Sequence, residues 1–152
     1  MRTIGNILWH IPFGGFITAG LTWLFGAFLT LTVVAAPIGF GLMELGKLLF
    51  WPFGNAMVSK NDLKVDQNKA WKTYSTIVSI LYFPFGLFFV ICGILQVVGL
   101  FITVFGIPPA LVVAKSLSTF FNPVGKICVN GAVVAELERR KAQPQVDKYF
   151  GR

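Results

Sequence analysis

Two long uncharged runs dominate the pattern of apolar and polar positions along this chain. The first, residues 4–43, contains no ionisable side chain except His10, and the second, residues 73–114, contains no charged side chain at all. Each run is longer than the roughly 20 apolar residues with which an α-helix crosses a bilayer core. Only 12% of the residues are charged, about half the share typical of soluble domains. The pattern predicts an all-α integral membrane protein.

The pattern also repeats within the chain. Residues 37–58 align without gaps with residues 108–129 at an offset of 71, and residues 7–14 resemble residues 79–86 at an offset of 72. The shared anchors are prolines and glycines, which constrain backbone geometry. We predict two duplicated membrane units, a polar connecting loop between them and a polar, basic tail, with bounds 1–58, 75–129, 59–74 and 130–152 respectively.

Each predicted unit is a short lead segment, a long transmembrane helix and a second arm. The leads end in Pro-Phe-Gly at residues 12–14 and 84–86. Pro37 and Pro108 end the long helices, because proline fits poorly in a helix interior. The second arms are predicted to be helices with a proline kink at each Pro-x-Gly sequence, which fall at Pro52 to Gly54 and at Pro123 to Gly125.

Short sequences in both units carry a resemblance to a known family. They are Met1-Arg2-Thr3-Ile4 with Asn6-Ile7-Leu8, Gly14-Gly15-Phe16, Trp51-Pro52-Phe53-Gly54-Asn55, Gly106-Ile107-Pro108 and Asn122-Pro123-Val124-Gly125-Lys126. On these residues the chain resembles the YccF family of bacterial inner-membrane proteins over roughly residues 1–129, although Pro12, Pro84 and Pro109 depart from its pattern. The resemblance implies a small multi-pass protein of the bacterial inner (plasma) membrane with duplicated domains. It implies no catalytic residues, because the family has no settled biochemical activity.

The net charge of +7 comes from basic residues that flank the apolar runs. Such residues favour the cytoplasmic side of a membrane and contact anionic lipid headgroups. Because the N-terminus, the loop and the tail all carry them, the favoured topology places all three inside and makes each unit a hairpin. In the rival topology each unit crosses once, the second arms lie on the membrane surface, and the repeats are inverted.

The second arms contain most of the polar side chains of the two units. Lys115, Ser118, Thr119 and Asn122 share one helical face, and Glu44 and Lys47 occupy the positions equivalent to Lys115 and Ser118. Charged groups at membrane depth usually face a cavity or a pathway, so these residues could line a water-filled path. Glu44 could then pair with Lys115 or with Lys47. The alternative is an interfacial amphipathic helix whose lysines reach the headgroups.

Two features of the long helices predict contacts between helices. Small residues recur every fourth position in the first helix and allow close approach, either within the chain or between two copies in a homo-oligomer: Gly14, Thr18, Thr22, Gly26 and Thr30. Gln96, inside the second long helix, needs a hydrogen-bond partner. We assign it mainly to packing and, alternatively, to an ion path together with the stripe of the second arms.

The sequence offers no catalytic chemistry, and we expect neither an enzyme nor a bound cofactor or metal. Glu44 is the only acid in either apolar unit, the single histidine has no second ligand or base near it, and no glycine-rich phosphate loop is present. Aromatic residues are scarce in the basic tail, so nucleic-acid binding is not expected. The partners expected are membrane lipids, further copies of the chain, and a membrane or cytoplasmic protein.

Two functions of different classes agree with these features. The first is a homo-oligomeric channel or a small-solute or ion transport component, lined by the second arms. The second is a non-transporting membrane scaffold or regulatory component that binds a partner protein through its loop and tail.

Overall fold

A computed structural model describes residues 2–11, 13–63 and 66–151 of the chain. Helices dominate it, as predicted, and a small two-stranded sheet accompanies them. In chain order the elements are α1 Arg2–His10, α2 Gly15–Leu31, α3 Ala36–Phe50, β1 Asn55–Ser59, α4 Lys69–Phe101, a short 3-10 helix Val104–Gly106, α5 Ile107–Phe121, β2 Lys126–Asn130 and α6 Gly131–Phe150.

Two helical segments among the described residues are long and apolar enough to cross a membrane. They are α4 and the segment Val104–Phe121. Helices α1 and α2, inclined by 80° to each other, meet the same criterion as one broken segment. The predicted class, a helical membrane protein, is therefore confirmed.

The two lead segments differ in structure. In the first unit α1 ends at His10, and α2 begins after Gly14, whose φ of 62° lies in the left-handed region that glycine adopts without strain. Pro12 lies outside the described residues. In the second unit the lead and the long helix form the single helix α4, which passes through Pro84. Proline is tolerated within helices of membrane proteins, where neighbouring groups satisfy the freed carbonyl.

The second arms are not kinked helices, and this prediction is wrong in detail. Helix α3 ends at Phe50, before Pro52, and α5 ends at Phe121, before Pro123. Each proline is followed by a turn and then by a five-residue strand. The strands pair with each other, so a distant part of the chain satisfies backbone groups that a helix would have satisfied locally.

The pairing register places equivalent residues of the two predicted units opposite each other. Strands β1 and β2 are antiparallel, and Met57 faces Cys128, which is 71 residues later in the chain. Helices α3 and α5 both have 15 residues. Their bounds, like those of the strands, differ by the same 71 residues found in the sequence alignment.

Each arm helix packs along the long helix that precedes it. At Gly26 of α2, an added Cβ would lie 2.8 Å from the carbonyl oxygen of Gly39 in α3. In the second hairpin Gly86 of α4 lies against the carbonyl oxygen of Phe121, and a Cβ at Gly93 would lie 2.7 Å from the Leu117 side chain of α5. Glycines therefore permit the close approach of both helix pairs.

The elements form three layers, which we call the apolar, middle and polar layers. The apolar layer is α2 and α4, the middle layer is α3 and α5, and the polar layer is the sheet with α6. One side of α3 contacts α2 through Gly39, Met43 and Gly46, while Glu44 on another side reaches the backbone of β2. Helix α6, which has no buried residue, runs beside β1: Gly131 N–H donates to the Gly54 carbonyl, and Lys141 pairs with Asp62 at 2.8 Å.

The two hairpin apices lie at opposite ends of α4. The Tyr74 hydroxyl, near the start of α4, hydrogen-bonds the carbonyl oxygens of Val33 and Val34 in the first apex, residues 32–35, at 2.8 Å each. The second apex, residues 102–106, follows the other end of α4 directly. Both apices expose apolar side chains, with Val34 70% and Phe105 86% exposed.

Candidate functional site

Polar contacts concentrate where the arm helices meet the sheet and the turns. The end of α3 is capped by side chains of α1. Trp9 Nε1 donates to the Leu49 carbonyl at 2.8 Å, and His10 Nε2 lies 2.9 Å from the Phe50 carbonyl. These carbonyls belong to the last turn of the helix, where no backbone partner is available. The sequence indicated His10 only as an interface residue, and the structure assigns it this capping contact.

The turns after the two arm helices are satisfied by asparagines. Asn6 Oδ1 accepts a hydrogen bond from the backbone N–H of Phe53 at 3.1 Å. At the equivalent place in the second unit, Asn122 Oδ1 accepts from Val124 N–H at 3.0 Å. Pro52 and Pro123 are both fully buried beside these contacts. The Pro-x-Gly sequences therefore form anchored turns, in which Gly125 has a φ of 69°.

Glu44 connects α3 to the sheet. Its Oε2 accepts a hydrogen bond from the Cys128 backbone N–H at 2.9 Å, and its Oε1 pairs with Lys47, one turn later. The Glu44 side chain is 20% exposed, whereas that of Lys47 is 58% exposed. Of the two pairings considered from the sequence, the structure has the local one with Lys47.

Lys115 makes the corresponding contact in the second unit. Its Nζ donates to the Pro52 carbonyl at 2.8 Å and lies 5.6 Å from the centre of the Phe53 ring. Glu44 and Lys115 thus occupy equivalent positions, and each contacts backbone that belongs to the other unit. The opposite charges fit these contacts, because a carboxylate accepts from an N–H and an ammonium donates to a carbonyl.

The chemistry of Cys128 is altered by this junction. Burial raises the pKa of the Cys128 thiol to about 11, the Glu44 charge raises it further, and Lys47 acts in the opposite direction. At pH 8 only about 0.1% of such a thiol is thiolate, the reactive form.

We therefore expect Cys128 in a Cys92→Ala background to react with maleimide at pH 8 roughly 100-fold more slowly than an ordinary cysteine. The rate should rise with pH towards about 11. In Glu44→Gln the reaction should be faster, because the carboxylate no longer disfavours the thiolate. Stopped-flow labelling of the detergent-solubilised protein measures both effects. A slower or unchanged reaction in Glu44→Gln would contradict this assignment.

The remaining residues of the predicted stripe separate into two environments. Thr119 is fully buried, and its hydroxyl has no hydrogen-bond partner among the described residues. Ser118 and Asn122 instead line an open groove, and Asn122 lies 3.4 Å from Ser79 of α4. The structure therefore does not align all four side chains along one path.

The groove at the end of α5, which we call the junction groove, has a volume of about 410 Å³. It lies between the start of α4, the end of α5, the connecting loop and the start of β2. Its polar lining includes Lys72, Ser75, Ser79, Ser118, Asn122 and Lys126. The sequence did not predict the groove, because its residues come from four separate segments.

Gln96 and the small residues of the first long helix lie in different surroundings. Gln96 is exposed on α4. Gly26 and Thr30 contact α3, and Gly14 caps the start of α2. The hydroxyls of Thr18 and Thr22 bond to carbonyls one turn earlier in α2, those of Gly15 and Thr18 respectively. The stripe thus contributes to packing within the chain mainly at its C-terminal end.

Within the described residues, no group of three or more histidine, cysteine or acidic side chains is placed to hold a metal ion. The contacts of the junction are instead hydrogen bonds and ion pairs that hold helices, turns and strands together.

A comparison with protein families agrees with the resemblance seen in the sequence. Residues 4–55 match the model of the YccF family, described as an inner membrane component domain. The match covers α1, α2, α3 and the first residue of β1, about a third of the chain. No curated protein and no solved structure matches the chain. The chain is a membrane protein whose first unit has the YccF domain.

Proposed function

We propose that this chain, with its YccF inner membrane component domain, is a non-transporting membrane scaffold embedded from one side of the bilayer. The observation that carries the proposal is the layered order of apolar and polar surfaces. The apolar layer exposes large side chains along α2 and α4, whereas the opposite layer carries the sheet and the charged helix α6. Such an order fits a protein whose layers lie parallel to the membrane plane.

The position of α6 supports this orientation. Helix α6 runs beside β1, and β1 follows α3 back along its length, since the turn after α5 lies against Gly41 of α3. If α3 crossed the bilayer, the first half of α6 would lie at membrane depth. Its Arg139 and Arg140 side chains are 80% and 76% exposed, which is incompatible with hydrocarbon.

The apices support the same orientation. Each would be in contact with water if its hairpin crossed the membrane, yet both expose apolar residues and neither contains a charge. In the proposed orientation both apices lie in hydrocarbon. The basic loop and tail then share the cytoplasmic side, as the favoured topology expected.

We further infer that the two units arose by duplication and are related by an approximate twofold axis between Met57 and Cys128. The equal bounds of the arm helices and the pairing of equivalent residues support this inference. With this axis along the membrane normal, the apices point in opposite lateral directions at the same depth. This arrangement reconciles opposite apices with loops on one side.

The scaffold would bind a cytoplasmic partner through the polar layer. Helix α6 has no buried residue, and beside it an open pocket of about 610 Å³ combines Leu63 and Val133 with the charges of Asp62, Glu136 and Arg140. A helix of 20 residues that contributes nothing to the core is available to a partner. The chain itself would perform no catalysis.

A homo-oligomeric channel is the second candidate function. It is favoured by Gln96, an exposed amide on the apolar surface of α4, which a second copy could satisfy. A pathway would also use the charges of the arm helices. Unitary currents that change in Lys115→Gln would support this candidate, whereas the scaffold predicts no current from the reconstituted protein.

Thiol accessibility tests the proposed embedding. Single cysteines replace Asn61, Glu138, Val34 or Phe105 in a Cys92→Ala, Cys128→Ala background, and an impermeant thiol reagent is applied to intact and to permeabilised cells. We expect Asn61 and Glu138 to be labelled only after permeabilisation, and the two apex positions to resist labelling under both conditions.

Labelling of the two apex positions from opposite sides would instead show that the hairpins cross the membrane in opposite directions. That result would overturn the scaffold orientation and favour a transporter-like inverted repeat.

A further inference from the structure

The junction groove has an unused positive charge. Lys72, on the first part of α4, and Lys126, at the start of β2, both line it. Neither lysine takes part in the ion pairs formed within the described residues. Hydroxyls and an amide complete the lining, and Ser79 and Asn122 lie 3.4 Å apart at its inner end. Ammonium, hydroxyl and amide groups together suit a phosphate ester, which offers several acceptor oxygens.

The groove continues from polar to apolar surface. A second, more open cleft shares Thr76, Ser79 and Asn122 with it and adds Ile80 and Phe83 of α4. Ile80 is exposed, and the Phe83 ring packs edge-on against Phe121 with centroids 5.5 Å apart. A ligand that occupies the whole groove must therefore be polar and anionic at one end and apolar at the other.

The first unit has no such lining, although it has the same turn. At the positions equivalent to Thr76, Ser79 and Asn122 it carries Ile4, Ile7 and Trp51. The shared backbone plan therefore does not require polar side chains here. Their presence in the second unit alone needs another reason, and a ligand supplies it.

We propose that the junction groove binds one anionic glycerophospholipid, with its headgroup phosphate between Lys72 and Lys126 and an acyl chain along Ile80 and Phe83. The ester oxygens would lie beside Ser79 and Asn122. This inference rests on the proposed arrangement of the layers, which places the groove at the boundary between headgroups and hydrocarbon. It does not depend on whether the chain binds a partner or conducts ions.

Native mass spectrometry of the full chain in detergent tests the proposal. The protein is titrated with phosphatidylglycerol, with phosphatidylcholine and with inorganic phosphate. We expect one phosphatidylglycerol molecule to bind more tightly than the others. The double variant Lys72→Gln, Lys126→Gln should weaken this binding about 10- to 30-fold, given the usual contribution of a lysine near an anionic headgroup.

The matched control is Lys69→Gln, Lys148→Gln, which removes the same charge from exposed positions outside the groove and should leave the affinity unchanged. A further variant, Ile80→Ser, should weaken binding of the long-chain lipid. Equal binding of the two lipids, or an equal loss in the control, would overturn the proposal. Phosphate binding as tight as that of phosphatidylglycerol would show a free-anion site instead. Because these measurements need no bilayer, they can fail independently of the embedding.

Discussion

Replacement of Gly41 by alanine is expected to prevent the chain from folding stably. A Cβ at Gly41 would overlap the carbonyl oxygen and carbon of Pro123, which are backbone atoms of the buried turn after α5. A flexible side chain could move aside, but this turn is held by Asn122 and by the full burial of Pro123. Overpacking of this kind costs about 1–3 kcal/mol or more, a large part of the usual stability of a domain.

The matched control is Gly20→Ala in α2. A Cβ at Gly20 would meet no atom within 4 Å, and alanine favours a helix interior over glycine by roughly 0.5–1 kcal/mol. Thermal unfolding followed by size-exclusion chromatography in detergent compares the two variants. We expect Gly41→Ala to lose the monodisperse peak well below the melting temperature of the unmodified chain, and Gly20→Ala to retain it. Equal stability of the two variants would show that α3 does not press on this turn.

A negative charge in the first apex is expected to reduce membrane insertion sharply. In Val34→Asp the new carboxylate would lie in hydrocarbon if the proposed orientation holds, at a cost of about 2.5–3.5 kcal/mol, or roughly 100-fold in the insertion equilibrium. Aspartate is too short to reach the headgroups as lysine can. Val34 is preferred to Val33 because Val33 has a φ of 58°, so that its replacement would also change backbone strain.

The comparison variant is Asn61→Asp, which adds the same charge to the exposed connecting loop. Quantitative blotting of the membrane fraction, with alkaline extraction to remove loosely bound protein, measures both. We expect Val34→Asp to fall severalfold or more below Asn61→Asp. Normal levels of Val34→Asp would place the first apex in water and would therefore favour hairpins that cross the bilayer.

Several features of the fold could be predicted from local sequence. The uncharged runs predict membrane helices, since no soluble surface could be built from them. Pro37 begins α3 and Pro108 begins α5, because proline suits the first turn of a helix. The resemblance to the YccF family is confirmed for residues 4–55, and for the second half of the chain it stays a prediction.

The strands could not be predicted in the same way. Residues 55–59 and 126–130 carry too weak a pattern for a strand, and each acquires its structure from the other, across 71 residues of chain. The sequence indicated that Pro-x-Gly interrupts each arm, but it did not indicate that a strand comes after the interruption. A local pattern reports the periodicity of one segment, whereas strand pairing depends on a partner that only the folded chain supplies.

The candidate site divides in the same manner. Glu44 and Lys115 stood out from the sequence as charges within apolar units, because burial of such groups requires partners. Their partners, the Cys128 N–H and the Pro52 carbonyl, are backbone groups and have no sequence signature. The junction groove was missed for the related reason that Lys72 and Lys126 are ordinary flanking lysines until α4 and β2 meet.

The sequence by itself determined that this protein is a helical membrane protein with two similar units, because hydropathy and proline placement act through local interactions. Only the tertiary structure decided that the arm helices end in paired strands, that each unit's central charge contacts the other unit, and that polar and apolar layers lie on opposite faces. Those features depend on contacts between segments far apart in the chain, and the free energy of such contacts is not encoded in any one segment.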